Sequence, residues 1–240
     1  MLLKENRSLN FSKKPRSLKD IRFLIIHYTG MQSARVSMNR LKNTKFKVSC
    51  HYFIERNGTI YRMVNDNQIA WHAGKSKWKD INNLNKHSIG IEIQNKGHKI
   101  KYQNFTKNQI SSLITLLKTL MKKYKIKKEN VLGHSDIAPL RKIDPGEKFP
   151  WKFLSKKKIG IWHQLHKEKL RKLRKKKITE IQKRQCLNFI KKIGYFVKKN
   201  NKKNKIKLFK NFQRRFRQEL INGILDKECL IIAEKLSKIS

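Results

Sequence analysis

The sequence predicts an α/β fold followed by a small all-helical unit. Three observations carry this. Short apolar runs that end abruptly, Arg22-Phe-Leu-Ile-Ile-His27, Ser88-Ile-Gly-Ile-Glu-Ile93 and Val131-Leu-Gly-His134, read as buried strands. Between the second and third runs lies a segment of helical periodicity, from Thr106 through about Tyr124. After residue 180 the apolar residues keep helical spacing only, punctuated by Gly194 and Gly223.

In order, residues 1–20 are polar and basic and read as an extended N-terminal arm. His27 ends the first strand, and Thr29-Gly30 breaks the pattern. Ser37 to Lys42 has the character of a short helix. Residues 49–64 form a hairpin signal, because Asn57-Gly58 sits between two β-prone runs. Residues 67–80 are a loop rich in Trp, His and Gly. In the next strand Ile89, Ile91 and Ile93 share one face, which leaves Gly90 and Glu92 on the other. Thr106 caps a helix whose apolar stripe is Ile110, Leu113, Ile114, Leu117, Leu120, Met121 and Tyr124. The strand at 131–134 and the loop to Trp151 complete a unit spanning 21–154. Residues 155–179 read as a basic helical linker centred on Arg171-Lys-Leu-Arg-Lys-Lys-Lys177. A three-helix unit then spans 180–240, with helices from Gln182 to Ile193, Leu208 to Leu220 and Lys227 to Leu236. Its core is thin, so it is expected to lean on the larger unit.

Hydrophobic content of 38%, with 12 Phe and 4 Trp, excludes a disordered chain. No apolar run approaches the roughly 20 residues of a membrane span. The first residues lack an apolar stretch followed by a small-residue cleavage site, so no secretory signal is read and the expected compartment is the cytoplasm. Cys50, Cys186 and Cys229 are too scattered for a disulfide scaffold or a thiolate metal site. The net charge of +44 favours polyanions such as nucleic acid, anionic lipid or cell-wall polymer, or reflects a lysine bias on solvated faces. No zinc finger, helix-turn-helix or RNA-binding aromatic motif accompanies the charge, so no specific nucleic-acid partner is expected.

The chemistry gathers in residues 131–146. His134 leaves a strand, Gly133 permits a tight bend, and Pro139, Pro145 and Gly146 exclude a continuing helix. His134 and Asp144 are both ordinary zinc ligands, but a catalytic zinc needs three protein ligands and one open position. His27, at the end of another buried strand, is the third candidate. A His-Glu-x-x-His helix is absent.

Five ordered motifs extend this pattern: Phe23-Leu-Ile-Ile-His-Tyr-Thr-Gly-Met31, Ser49-Cys-His-Tyr-Phe-Ile54, Ala70-Trp-His-Ala-Gly74, Ser88-Ile-Gly-Ile-Glu-Ile93, and Leu132-Gly-His-Ser-Asp-Ile-Ala-Pro139 through Arg141-Lys-Ile-Asp-Pro-Gly146. Through them residues 20–151 closely resemble the zinc-dependent N-acetylmuramoyl-L-alanine amidases of the AmpD-like family, relatives of the peptidoglycan recognition proteins. The resemblance implies a central mixed β-sheet flanked by helices. It implies that His27, His134 and Asp144 hold Zn2+, and that Glu92 and Lys142 are the catalytic Glu and Lys. Such an enzyme hydrolyses the amide between N-acetylmuramic acid and L-alanine in peptidoglycan or muropeptides. Zinc would activate carbonyl and water, Glu92 would shuttle the proton, and Lys142 would stabilise the oxyanion. Trp71, His72 and Trp78 are expected to line the substrate groove, and Asn85 with Lys86 to meet substrate carboxylates. His51, His87, His98, His163 and His166 are read as surface or structural.

The unit at 180–240 resembles, more weakly, a helical peptidoglycan-binding domain through Phe189-Ile-Lys-Lys-Ile-Gly-Tyr195, Phe209-Lys-Asn-Phe-Gln-Arg-Arg-Phe216 and Asn222-Gly-Ile-Leu-Asp226. It departs from that pattern in a lysine-rich insert, Lys198 to Lys207. A wall-binding tail would point to the cell envelope as the alternative compartment. On this reading the chain is a monomer, and truncation near residue 178 spares cleavage of small muropeptides while weakening attachment to polymeric wall. The alternative, a non-catalytic recognition module on the same fold, is disfavoured because the His, His, Asp set is complete and Glu92 and Lys142 accompany it.

Overall fold

A six-stranded mixed sheet carries the fold in the computed structural model, which describes residues 3–197 and 201–239. Residues 198–200, the start of the lysine-rich insert, lie outside the described residues. In chain order the strands are β1 (Leu3–Glu5), β2 (Phe23–Tyr28), β3 (Tyr52–Ile54), β4 (Ile60–Arg62), β5 (Ser88–Ile93) and β6 (Val131–Gly133). Across the sheet they run β1-β4-β3-β5-β2-β6, and only the β3–β4 hairpin is antiparallel. The hairpin turns through Asn57-Gly58, as its sequence predicts. Strand β2 is buried from Phe23 to His27, the burial expected of a strand covered on both faces.

The first 20 residues are extended and sewn into the fold. Strand β1 adds an edge to β4, and Phe11–Ser12 pairs with Ile69–Ala70. Arg16 is buried and donates to the carbonyls of Asp66, Asn85, Lys86 and Ser88, tying the segment before β5 in place.

Helix α1 (Ala34–Lys42) follows β2. Helix α2 (Lys107–Lys123) begins with a capping box: the Gln109 amide N–H donates to Thr106 Oγ1 at 3.0 Å, and the Thr106 N–H donates to Gln109 Oε1 at 3.0 Å. Leu113, Leu116, Leu117 and Leu120 are its buried face. A four-residue turn, α3 (His134–Ile137), follows β6 directly.

The stretch read as a helical linker differs from that reading. Only α4 (Trp151–Lys156) and α5 (Lys167–Leu173) are helical, and Ile159, Ile161 and Trp162 between them are buried. Burying these apolar side chains outweighs the helical propensity of the surrounding lysines. The last helices are α6 (Glu180–Ile193), α7 (Lys202–Phe216) and α8 (Lys227–Ser237). Helix α7 starts earlier than its apolar stripe suggests, because Asn201 caps it and lysine is a good helix former. It ends at Phe216, where the Arg217 backbone leaves the helical region and the Arg217 guanidinium pairs with Asp226.

The main hydrophobic core joins the sheet to the C-terminal helices, and a small second cluster is formed by Leu41, Cys50, Phe53 and Met63. The main core contains Leu24, Ile25 and Ile26 of β2, Leu117 of α2, Cys186 and Ile190 of α6, Phe212 and Phe216 of α7 and Ile232 of α8. A buried polar cluster reinforces the join: Asp136 of α3 takes hydrogen bonds from the Arg215 guanidinium and, at 2.5 Å, from the Tyr195 hydroxyl. Losing one partner of such a buried pair costs about 3–5 kcal/mol. No helix among the described residues is long and apolar enough to cross a membrane.

Candidate active site

The ends of two neighbouring strands create the site. Parallel pairing sets Gly133 of β6 opposite Ile26 of β2, so His134 emerges beside His27. Asp144 returns to the same point because its carbonyl accepts from the Ser135 N–H at 2.9 Å. The Pro145 carbonyl is held in turn by the Tyr102 hydroxyl at 2.7 Å. Three ligand atoms converge: His27 Nδ1 and His134 Nδ1 are 2.9 Å apart, and each is 3.1 Å from Asp144 Oδ2. All three residues are buried.

The surroundings fix which ring nitrogens are free. Ser88 Oγ donates to the Leu84 carbonyl at 2.6 Å, so it accepts from His72 Nε2 at 3.2 Å. His72 Nδ1 then accepts from His27 Nε2 at 3.1 Å. His134 Nε2 donates to the Ala73 carbonyl at 3.1 Å. Both Nδ1 lone pairs are therefore turned toward Asp144, the arrangement metal-binding histidines adopt. The edge of a tetrahedron with bonds of 2.0–2.1 Å is about 3.3 Å, close to the observed spacings. The donor set fits a metal ion. Burial, and next the neighbouring His134, pull the His27 imidazole down to about 4, keeping it neutral. Burial pushes the Asp144 carboxyl up, but His134 and His27 outweigh it and hold it well below the usual carboxylate range. Neutral imidazole and ionised carboxylate are the metal-binding forms.

His72 can support His27 only because residue 90 is glycine. A Cβ there would lie 2.3 Å from the His72 ring. Gly90→Ala is therefore expected to push His72 off His27 and weaken metal binding by about 10–100-fold, the usual effect of losing such an outer partner. A zinc titration against a competing chelator measures this; affinity equal to the native protein would mean that the His72 contact does not support the ligand.

Glu92 sits opposite His27 in the β2–β5 register, and in-register residues of parallel strands share a face. Its Oε2 is buried without a hydrogen-bond partner. Burial, and next the charge of Asp144, push its carboxyl up to about 8 against the pull of the Lys142 ammonium. Lys142 acts electrostatically on both Glu92 and His27 and lines the same cleft.

That cleft holds about 650 Å³. Of the five residues expected to touch substrate, Trp71 and His72 line it, although both polar atoms of the His72 ring are engaged with His27 and Ser88, and Lys86 is exposed outside it. Trp78 does not line it. It is 3% exposed and packs edge-on to Tyr195 and over Gly194, where a Cβ would lie 2.4 Å from its indole. Asn85 is also turned away: its Oδ1 accepts from the His72 and Ala73 N–H groups at 3.1 and 2.7 Å and so shapes the 72–73 turn. The sequence reading missed Arg40, Lys99 and His98 in the cleft wall. His98 follows a glycine in a loop with no periodic signal, and only the fold shows it beside the Tyr28 hydroxyl at 2.9 Å. His51 is buried and structural, accepting from the Gly90 N–H at 3.0 Å.

A family model described as N-acetylmuramoyl-L-alanine amidase matches residues 17–147. The N-acetylmuramoyl-L-alanine amidase AmiD of Escherichia coli (strain K12) is 36% identical over 231 residues, 90% of this chain and 82% of that protein. The solved complex of E. coli AmiD with the substrate anhydro-N-acetylmuramic acid-L-Ala-D-gamma-Glu-L-Lys matches with a TM-score of 0.82 at 33% identity, covering 95% of this chain and 92% of that one. AMPDH3 from Pseudomonas aeruginosa, in complex with anhydromuramic pentapeptide, matches with a TM-score of 0.80 at 30% identity, covering 95% and 94%.

Proposed function

Because the chain belongs to the N-acetylmuramoyl-L-alanine amidase family, we propose that zinc held by His27, His134 and Asp144 serves its reaction, with Glu92 as proton carrier and Lys142 as oxyanion partner. The enzyme is a hydrolase of the amide between N-acetylmuramic acid and L-alanine in muropeptides. The observation that carries the metal assignment is the convergence of two Nδ1 atoms and one carboxylate oxygen, on the sheet face that also carries Glu92 with its unpartnered Oε2.

Amides are poor electrophiles, and zinc at this site would polarise the scissile carbonyl and lower the pKa of water to about 7. Glu92, fixed on β5 one strand from His27, takes the proton of the attacking water and delivers it to the leaving nitrogen of L-alanine. Its Oε2 is buried without a hydrogen-bond partner, and a dication held beside it would pull the carboxyl below the value of about 8 to which burial pushes it, favouring the ionised form that receives that proton. The Lys142 ammonium has no hydrogen-bond or ion-pair partner among the described residues, so it is available to the negative charge that grows on the carbonyl oxygen. Trp71 offers a half-buried ring to the apolar faces of the sugar, and Arg40 and Lys99 offer cations to the stem-peptide carboxylates.

The substrate class favoured is the soluble anhydro-muropeptide, the kind of ligand held by the two solved relatives. Incubation with anhydro-N-acetylmuramyl peptides, read by mass spectrometry, is expected to release the intact stem peptide with a free L-alanine N-terminus. A chelator should stop the release and added Zn2+ restore it. Cleavage at any other bond, or release indifferent to the chelator, would defeat the proposal.

A further inference from the structure

Helix α7 reaches across to the loop that carries Lys142. Lys207, Asn211 and Arg215 stand at successive i, i+4 positions and form one stripe along it. Each holds a different point of the segment 131–142. Lys207 Nζ donates to the Leu140 carbonyl at 3.1 Å. Asn211 Nδ2 donates to the Pro139 carbonyl at 2.7 Å and to the Lys142 carbonyl at 2.9 Å. The Arg215 guanidinium binds Asp136 and, at 3.2 Å, the Val131 carbonyl.

Asn211 is the central member. It is 2% exposed, so its amide has no water to turn to. Both amide hydrogens are used on the loop, and its Oδ1 accepts from Arg214 Nη1 at 2.5 Å. Arg214 Nε is bonded in turn to Glu147 Oε2 at 3.1 Å, and Glu147 to His98 Nε2 at 3.1 Å. His98 completes the chain at the Tyr28 hydroxyl, next to the metal ligand His27. The orientation of the Asn211 amide is thus dictated from behind by a continuous network. One amide clamping two carbonyls three residues apart fixes the backbone of the turn, leaving only side-chain torsions to Lys142.

We infer that Asn211 is a positioning residue: through the Pro139 and Lys142 carbonyls, the C-terminal helical unit sets where the Lys142 ammonium stands. The inference rests on the proposed catalytic role of Lys142. It also bears on truncation. From the shared core and these contacts, removing residues beyond about 178 is expected to lower cleavage even of small muropeptides, where the sequence alone predicts that it is spared.

A double-mutant cycle on the full-length, zinc-loaded enzyme tests it. A displacement of about 1 Å in a reacting group costs about 10²-fold, so Asn211→Ala should lower kcat by about 10- to 100-fold with KM nearly unchanged. In a Lys142→Met background it should cause no further loss. An equal loss in both backgrounds would show that Asn211 acts on something other than Lys142 and would overturn the inference. Hydrogen exchange supplies the readout independent of turnover: amides of 140–143 should exchange faster in Asn211→Ala while those of β2 and β5 do not change. Unchanged exchange at 140–143 overturns the positioning role whatever Lys142 does. A Lys142→Met enzyme of native turnover, by contrast, overturns the catalytic reading by itself. Should Asn211→Ala not fold, Arg214→Met removes the bond that orients the amide from a partly exposed position. It should raise exchange in the same segment, and failure to do so counts against the inference.

Discussion

A His134→Ala protein is expected to purify with almost no zinc and to release stem peptide no faster than a chelator-treated native enzyme. Three ligand atoms meet at this point, and two are too few for the four-coordinate site that zinc prefers. His27 and Asp144 would remain, but their mutual orientation depends partly on His134: the three rest against one another, and the His134 ring is anchored on the Ala73 carbonyl. Metal analysis of both proteins, native and variant, decides it. Native purification should yield about one zinc per chain for a three-ligand catalytic site. His134 is 2% exposed, so the variant also loses packing. Its melting curve should therefore be compared with that of the metal-free native protein, which separates loss of metal from loss of fold. Equal zinc in both proteins would remove His134 from the ligand set.

Glu92→Gln should lower turnover by about 10²–10⁴-fold, the usual worth of general acid–base help, with zinc content unchanged. Gln keeps the size and shape of the side chain and cannot carry a proton between water and leaving group. The substitution is mild for the fold: burial and the charge of Asp144 already push the carboxyl up to about 8, so a neutral side chain suits this position with its unpartnered buried oxygen. The loss should fall mainly on kcat, since the proton moves only on the way to the transition state. Single-turnover assays on zinc-loaded protein measure it. Near-native turnover would leave the base to be found elsewhere in the cleft.

The parts of this site that were legible in the sequence are those where a local rule applies. His27 and His134 stand at the ends of apolar runs, Asp144 beside a Pro-Gly pair, Asn57-Gly58 between two strand-like segments, and Thr106 just before an apolar helical stripe. Glu92 followed from alternation along β5, and the register with β2 shows it on the His27 face. What could not be read depends on partners far apart in the chain. Trp78 looks like an exposed loop aromatic until Tyr195 and Gly194 cover it from 117 and 116 residues away. Arg16 looks like one basic residue among many, yet it is buried on the carbonyls of 85–88. Asn211 lies in a helix of ordinary amphipathic pattern, and nothing local announces that its amide belongs to the loop at 139–142. The Lys-rich segments misled in the opposite way. Their helical propensity suggested a continuous linker helix, whereas the buried Ile159, Ile161 and Trp162 decided the path of the chain.

The in-register placement of His27 and Glu92 on adjacent parallel strands has a consequence for how such an enzyme can diverge. Adjacent strands are held about 4.8 Å apart by their own backbone hydrogen bonds. The interval between the proposed metal ligand and the proposed proton carrier is therefore a lattice constant of the sheet, indifferent to the side chains around it. The cleft walls at Arg40, Lys99 and His98 come from a helix and a loop, where insertion and substitution are tolerated. Lineages can rewrite those walls, and with them the size and charge of what is admitted, while the ruler that spaces the chemistry stays as it was.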